Sequence, residues 1–456
     1  MDTNEFMLHS IRKLIFEGEI SALRDILIEM NVVDIATIME ELEPADRLFV
    51  FRVLPKDLSA EVFAYLESDT QTDLVRMIND AELERLLNEM FLDDTVDFLE
   101  EMPANVVTRV LAHSDPETRK LINRFLKYPE DSAGSIMTLE YISLLPSMTI
   151  GDALKKVKSA GIRSETVYTC YVVEKHKLLG IITAKDLLTC DDSEKISDVM
   201  ETNIISVKTH TDKEEVASLF NKYDFLSLPV VDNEFCLVGI VTVDDAMDVL
   251  QEEAEEDFQK MAAITPTDKP YLRTTPFSIW KSRIPWLLIL MVSATFTGII
   301  ISSFEGALSK LVVLTAFIPM LMDTGGNSGS QASVTIIRGL SLGEIGVKDV
   351  FKVMWKEFRV SILCGISLAA AAFLKVILID GLLMGNSDVS VTVALVVALT
   401  LWLTVICAKL IGCSLPIVAK KLGFDPAVMA SPFITTIVDA VSLLVYFGFA
   451  KMFLPI

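Results

Sequence analysis

Histidine is scarce in this chain and missing from its C-terminal half: the four are His9, His113, His176 and His210. A zinc centre or zinc protease in the apolar half is thereby disfavoured, because such sites draw on imidazole ligands. The six cysteines (Cys170, Cys190, Cys236, Cys364, Cys407, Cys413) form no CxxC, and the last three stand in apolar runs, so all read as reduced packing residues. No glycine-rich phosphate loop ending in Lys and Ser or Thr occurs, and no nucleophile in the apolar half has a histidine partner, which speaks against an enzyme. Positive charge is also short. The 40 Lys and Arg face 63 Asp and Glu, and a net charge of −23 argues against a nucleic-acid partner.

What the chain has instead is apolar surface, unevenly placed. It is 51% hydrophobic with a mean hydropathy of +0.46, although 23% of its residues are charged. Segregation explains this. Residues 1–279 hold 27 Lys and Arg against 54 Asp and Glu, whereas residues 280–456 hold 13 against 9. The first part is soluble and acidic; the second belongs in a lipid bilayer. The opening MDTNEFMLHSIRKLIFEGEI is amphipathic and charged, unlike a secretory signal, so the acidic half is expected in the cytoplasm.

Five spans of about 20 residues are expected, over residues 284–304, 311–337, 360–379, 389–412 and 428–450. Lys281, Arg283, Arg338, Lys348, Lys352, Lys356, Arg359, Lys420 and Lys421 flank one set of ends, and only Lys310, Lys375 and Lys451 the other. Basic residues stay inside, so the protein is expected to be a multi-pass inner-membrane protein with its carboxyl terminus external. Lys409, inside the fourth span, is expected to snorkel to the inner surface.

The second span holds an odd stretch, MDTGGNSGSQAS, residues 322–333. Polar groups in hydrocarbon are costly unless protein or water surrounds them, so the stretch is expected to break the helix and open onto a polar path. Asp323 begins it, and reads equally well as a helix-end cap. Asp439 lies near mid-depth of the last span with no basic residue within that span, and a lone carboxylate there points to function. Candidate pathway residues are Asp439, Asp323, Asn327, Ser330, Gln331, Thr435 and Ser431, with Thr436 and Ser442 on neighbouring turns. Gly325, Gly326 and Gly329 also suit close helix packing. One or two carboxylates among hydroxyl and amide oxygens fit a hard divalent cation, and Mg²⁺ sheds its water reluctantly enough to pass largely hydrated.

The run PMLMDTGGNSGSQASVTIIRGL (Pro319–Leu340) resembles the signature of the MgtE family of magnesium channels, and DPAVMASPFITTIVDAVSLLVYF (Asp425–Phe447) resembles that family's last span. The likeness extends over the whole chain, in order. It implies a homodimer with a pore between subunits, the carboxylate matching Asp439 binding hydrated Mg²⁺, and closure by cytoplasmic Mg²⁺. One departure is Ser442, where the family usually has Gly.

In the acidic half, MTLEYISLLP from Met137 is echoed by METNIISVKT from Met200, and LLGIITAKDLL from Leu178 by LVGIVTVDDAM from Leu237. The two copies resemble a pair of CBS modules. In some such tandems the closing Thr and Asp touch the ribose of ATP or another adenine nucleotide, here Thr183 with Asp186 and Thr242 with Asp245; the preferred reading is that each Asp simply caps the helix that follows. Residues 4–127 read as short amphipathic helices punctuated by Pro44, Pro55, Pro103 and Pro116. A weak repeat pairs the segments starting at Asp46 and Asp94, as stacked helix pairs would. Carboxylates crowd the helix over residues 244–264, and Asp93 and Asp94 add a second cluster. Asp93, Asp94, Asp245, Asp248, Glu253, Glu256 and Asp257 are candidate ligands for a regulatory divalent cation that relieves their mutual repulsion.

The expected fold is multidomain: an all-α superhelical N-terminal domain (1–130), an α/β tandem CBS domain (131–250), an acidic connecting helix and linker (251–279), and an all-α membrane domain of five transmembrane helices (280–456). The expected function is a Mg²⁺-selective channel closed by cytoplasmic Mg²⁺. Alternatives are a divalent-cation carrier coupled to Na⁺ or H⁺ and a membrane-anchored ion or nucleotide sensor.

Overall fold

The computed structural model describes residues 3–454 except 101, 162, 163, 268–270, 273, 387 and 430. It divides into two compact units, Met1–Leu250 and Gln251–Ile456.

The first unit opens with a run of short helices: α1 Thr3–Glu17, α2 Ile20–Glu29, α3 Val32–Glu40, α4 Pro44–Val53, α5 Lys56–Ala64, α6 Ser68–Met77, α7 Asp80–Glu89, α8 Leu92–Glu100, α9 Ala104–His113 and α10 Pro116–Phe125. The prolines mark their starts. Pro44 and Pro116 occupy the first helical position of α4 and α10, and Pro55 and Pro103 cap α5 and α9, where a missing N–H costs no helical bond. Helices pack on the helix two places further on, α3 on α5, α5 on α7 and α7 on α9, which is the superhelical stacking expected.

Two sheets of matching topology follow. β1 (Ser143–Leu144) lies parallel to β2 (Thr169–Glu174), which pairs antiparallel with β3 (Lys177–Thr183). Likewise β4 (Val207–Lys208) is parallel to β5 (Ser227–Val231), and β5 antiparallel to β6 (Leu237–Thr242). Each second strand carries a register shift at the same place, Val172/Val173 and Val230/Val231, so the repeat in the sequence is a repeat in the backbone. Helices α11 (Ile150–Ala160), α12 (Ala184–Thr189) and α13 (Ile196–Val199) flank the first sheet in sequence, α14 (Lys213–Tyr223) the second. One apolar core runs from Ile11 through the helical array to Phe220 and Val249 of the second module, whereas the first module has its own core around Val172 and Ile182.

Helix α15, Val243–Met261, begins in the first unit and ends in the second. The second unit then contains α16 (Pro276–Ser303), the short α17 (Glu305–Lys310), a 3₁₀ segment Val312–Phe317, α18 (Ile318–Ser341), α19 (Val350–Lys375) continued by a π-helical stretch Val376–Leu383, α20 (Val391–Leu422) and α21 (Ser431–Phe453). Among the described residues, four segments are long and apolar enough to cross a membrane: Pro276–Ser303, Val347–Leu383, Val391–Leu422 and Pro426–Phe453. The remaining long helix, α18, has 24 residues, and about 1.5 Å per residue gives it roughly 36 Å, enough to span. It packs on α20 and α21, and α19 on α20.

Two expectations fail here. Residues 322–333 do not break the second span: α18 is continuous through them, and the departure from α-helix lies before it, at Leu311 and the 3₁₀ segment Val312–Phe317. In hydrocarbon an unpaired backbone group costs more than glycine's poor helix propensity, so the helix holds. Lys409 does not snorkel either. It is 6% exposed and faces Glu357 of α19, Nζ to Oε2 3.8 Å, so a buried counter-charge holds it.

Candidate ion pathway and acidic cluster

The small residues of α18 divide into two faces. Gly325 abuts Thr404, Val438 and Ser442, Gly329 abuts Ile434 and Ala408, and both are buried in the seam with α20 and α21. Ser442 belongs to this seam: it is fully buried, its Oγ donates to the Val438 carbonyl, and it turns away from the polar path it was expected to line. The opposite face of α18 is exposed and polar. Asp323, Asn327 and Gln331 recur every fourth residue along it, and Ser330 beside them is half-buried.

Asp323 and Asn327 share an open cavity of about 420 Å³ with Ile318, Pro319, Met322 and Gly326 of α18 and with Thr435 and Asp439 of α21. Thr435 and Asp439, one turn apart, are both half-buried. Thr435 Oγ1 donates to the Pro432 carbonyl at 2.9 Å and Thr436 Oγ1 to the same oxygen at 3.1 Å. The cavity thus joins Asp323, Asn327, Thr435 and Asp439; Ser330 and Gln331 are not in its lining, and the Ser431 side chain lies outside the described residues. Asp323 sits within α18 rather than at its end, so it caps nothing.

In the first unit a second group of carboxylates converges. Asp93 and Asp94 come from α8, Glu140 from the segment before β1, Glu165 from the segment before β2, and Asp244 and Asp245 from the start of α15. Asp93 is only 9% exposed. Burial, then the charges of Asp94, Asp245, Glu140 and Glu165, push its carboxyl well above the usual range. Burial and neighbouring carboxylates raise Asp94 to about 6 and Glu165 to about 7. Asp245 also rises to about 6, chiefly through burial, against the lowering effect of a hydrogen bond from Thr242. Asp93 Oδ1 and Glu165 Oε2 are buried and have no hydrogen-bond partner among the described residues. Glu140 accepts from the Thr138 hydroxyl and the Leu139 N–H. Glu140 and Glu165 escaped the sequence reading, because nothing local links them to α8.

Asp248 is exposed, and burial and Asp244 raise its pKa. In the second unit Glu253 is half-buried, Glu256 pairs with Lys260, and Asp257 accepts from the Ser341 hydroxyl at 3.1 Å. Among the described residues no three of His, Cys, Asp or Glu lie close enough to chelate a bare metal ion. The Thr–Asp pairs of the two modules cap helices: Thr183 and Asp186 form a reciprocal capping box on α12, and Thr242 Oγ1 donates to Asp245.

A carboxylate within an apolar helix and a polar face on its neighbour, beside a paired α/β module, fit a membrane transporter for cations. Residues 318–449 match the family described as MgtE, divalent cation transporter; residues 30–131 match the MgtE intracellular N domain, and residues 133–192 and 196–252 the CBS domain. The magnesium transporter MgtE of Thermus thermophilus is 36% identical over 452 residues, 98% of each chain. That of Bacillus subtilis is 35% identical over 92% of this chain and 94% of its own. The chain belongs to the MgtE family, whose members are transporters and not enzymes. Among solved structures, the cytosolic domain of the Mg²⁺ channel MgtE in complex with ATP matches with 37% identity and a TM-score of 0.51, over 53% of this chain and 99% of that one. The soluble part of a magnesium transporter matches with 29% identity and a TM-score of 0.53, over 55% and 99%.

Proposed function

We propose that this protein is a Mg²⁺-selective channel of the cell membrane, that it works as a homodimer, and that cytoplasmic Mg²⁺ closes it. The observation that carries this reading is the outward polar face of α18, which opens into one cavity with Asp439. A single copy leaves Asp323, Asn327 and Gln331 exposed at membrane depth, which hydrocarbon does not tolerate. A second copy facing it encloses a wet path, and two Asp439 carboxylates hold a divalent ion through its waters, weakly enough for it to leave. Ser330, Gln331 and Ser431 continue that path.

Closure follows from the acidic cluster. Asp93, Asp94 and Asp245, joined by Glu140 and Glu165, are crowded without a cation, and a hydrated divalent ion relieves the crowding and draws their segments together. Asp248, Glu253, Glu256 and Asp257 extend the negative surface along α15. An adenine nucleotide at Thr183 with Asp186 or Thr242 with Asp245 is a further regulator in this reading. It has to displace the two caps, so saturating nucleotide shifts the Mg²⁺ response only if it binds there.

The deciding experiment is current recording from reconstituted protein with Mg²⁺ varied on the cytoplasmic side. Unitary Mg²⁺ currents that shut as cytoplasmic Mg²⁺ rises are expected. Uptake without unitary currents that requires a Na⁺ or H⁺ gradient replaces the channel with a coupled carrier.

A further inference from the structure

Helix α15 is acidic along its length, and its one basic residue is Lys260. Lys260 Nζ lies 2.7 Å from Glu256 Oε1, one turn back, and 2.7 Å from Asp425 Oδ2, in the segment joining α20 to α21. Asp425 is held from its other side, where Oδ1 accepts the Ala427 N–H at 2.8 Å, so both of its oxygens have donors. The contact is sheltered: the Lys260 side chain is 22% exposed. Burial alone lowers its pKa, but the carboxylates of Asp425 and Glu256 outweigh this and raise it, so the ammonium stays charged.

Around this bridge the end of α15 is seated on the membrane domain. Met261 packs on Ile337 of α18 and on Ala427. Asp257 takes the hydrogen bond from Ser341 at the end of α18, and the Thr265 N–H donates to the Ser282 carbonyl at 3.0 Å. Glu256, Asp257 and Asp425 would repel one another here, yet a tethered ammonium already stands between two of them. A soluble cation is not needed to close this seam.

We propose that Lys260 is a built-in counter-cation that latches α15 to the membrane domain at Asp425 without any divalent ion, leaving Mg²⁺ to act on the separate cluster around Asp93. The inference rests on the gating reading above and deepens it. Lys260 touches no permeating ion, so it is a positioning residue: it stores part of the closing free energy, and its loss raises the Mg²⁺ needed to close.

The test uses the full chain with cysteines introduced at Met261 and Ile337, and each single-cysteine chain as control. With Lys260 in place, a disulfide is expected to form in chelator. Lys260→Gln should lower the yield severalfold and Lys260→Arg should restore it; Asp425→Asn, which removes the other partner, should act like Lys260→Gln. In currents from the chain without added cysteines, Lys260→Gln should raise the half-closing Mg²⁺ concentration about fivefold and leave unitary conductance unchanged. Cross-linking in chelator that ignores both Lys260→Gln and Asp425→Asn overturns the latch, whatever the currents do. Cross-linking that depends on Lys260 in a protein whose currents ignore Mg²⁺ sustains the latch and overturns the gating reading instead.

Discussion

Gly412 of α20 lies so close to Gly329 of α18 that a Cβ built on it would overlap the Gly329 carbonyl oxygen. No side-chain rearrangement relieves that contact, because the obstacle is backbone. Gly412→Ala should therefore push α18 and α20 apart and destabilise the membrane domain by about 1–3 kcal/mol or more. Thermal unfolding in detergent, read as the loss of monodisperse protein, checks this. Gly298→Ala, with nothing within 4 Å of the added methyl, is the matched control and should not lower the midpoint.

Asp439→Asn keeps the volume of the side chain and removes its charge. It should abolish Mg²⁺ uptake into proteoliposomes and admit monovalent current, with expression unchanged. Asp439→Glu should retain part of the transport, since the charge survives at a shifted position. Full Mg²⁺ uptake by folded Asp439→Asn would remove Asp439 from the pathway.

The carboxyls of Asp94, Asp245 and Glu165 titrate near 6, 6 and 7 in the folded protein. These values are raised, so the folded state binds more protons than the unfolded chain between roughly pH 4 and 7, and stability falls as pH rises through that window. Calorimetry of the full chain in chelator should show a transition whose midpoint drops from pH 5 to pH 8. Added Mg²⁺ should flatten the dependence, because the cation takes over what the protons do. A midpoint that rises with pH in chelator contradicts the cluster.

Topology has a direct check. Lys348 and Lys451 are both exposed and lie on opposite sides if five spans are crossed with the first unit inside. A membrane-impermeant thiol reagent applied outside should label a cysteine at position 451 and spare one at 348. Labelling of both from one side rules out that arrangement.

Local rules carried the sequence reading a long way and then stopped. Pro44, Pro55, Pro103 and Pro116 placed four helix starts, and the echo of Met137 at Met200 placed two matching sheets, because these features act through neighbouring residues. Asp439 stood out by itself, as a charge in an apolar helix does. The break expected over residues 322–333 is absent because the polar side chains there gather on one face of an unbroken helix, while Gly325 and Gly329 serve the close packing on α20 and α21 that they also suited. Glu140 and Glu165 were invisible beside Asp93, since only the folded chain brings them together. Lys409 misled for the same reason: its partner Glu357 is on another helix.

The continuous core from Ile11 to Val249 gives the two CBS modules unequal shares in the packing despite their common topology. The second module shares its core with the helical array and leads directly into α15, whose Ala246 and Val249 belong to the same core. The first module keeps its own core around Val172 and Ile182, yet it is joined to the second through the buried cluster of Tyr171, Leu237 and Ile240 and the hydrogen bond between the Tyr171 and Ser227 hydroxyls, and it brings Glu165 to the acidic cluster.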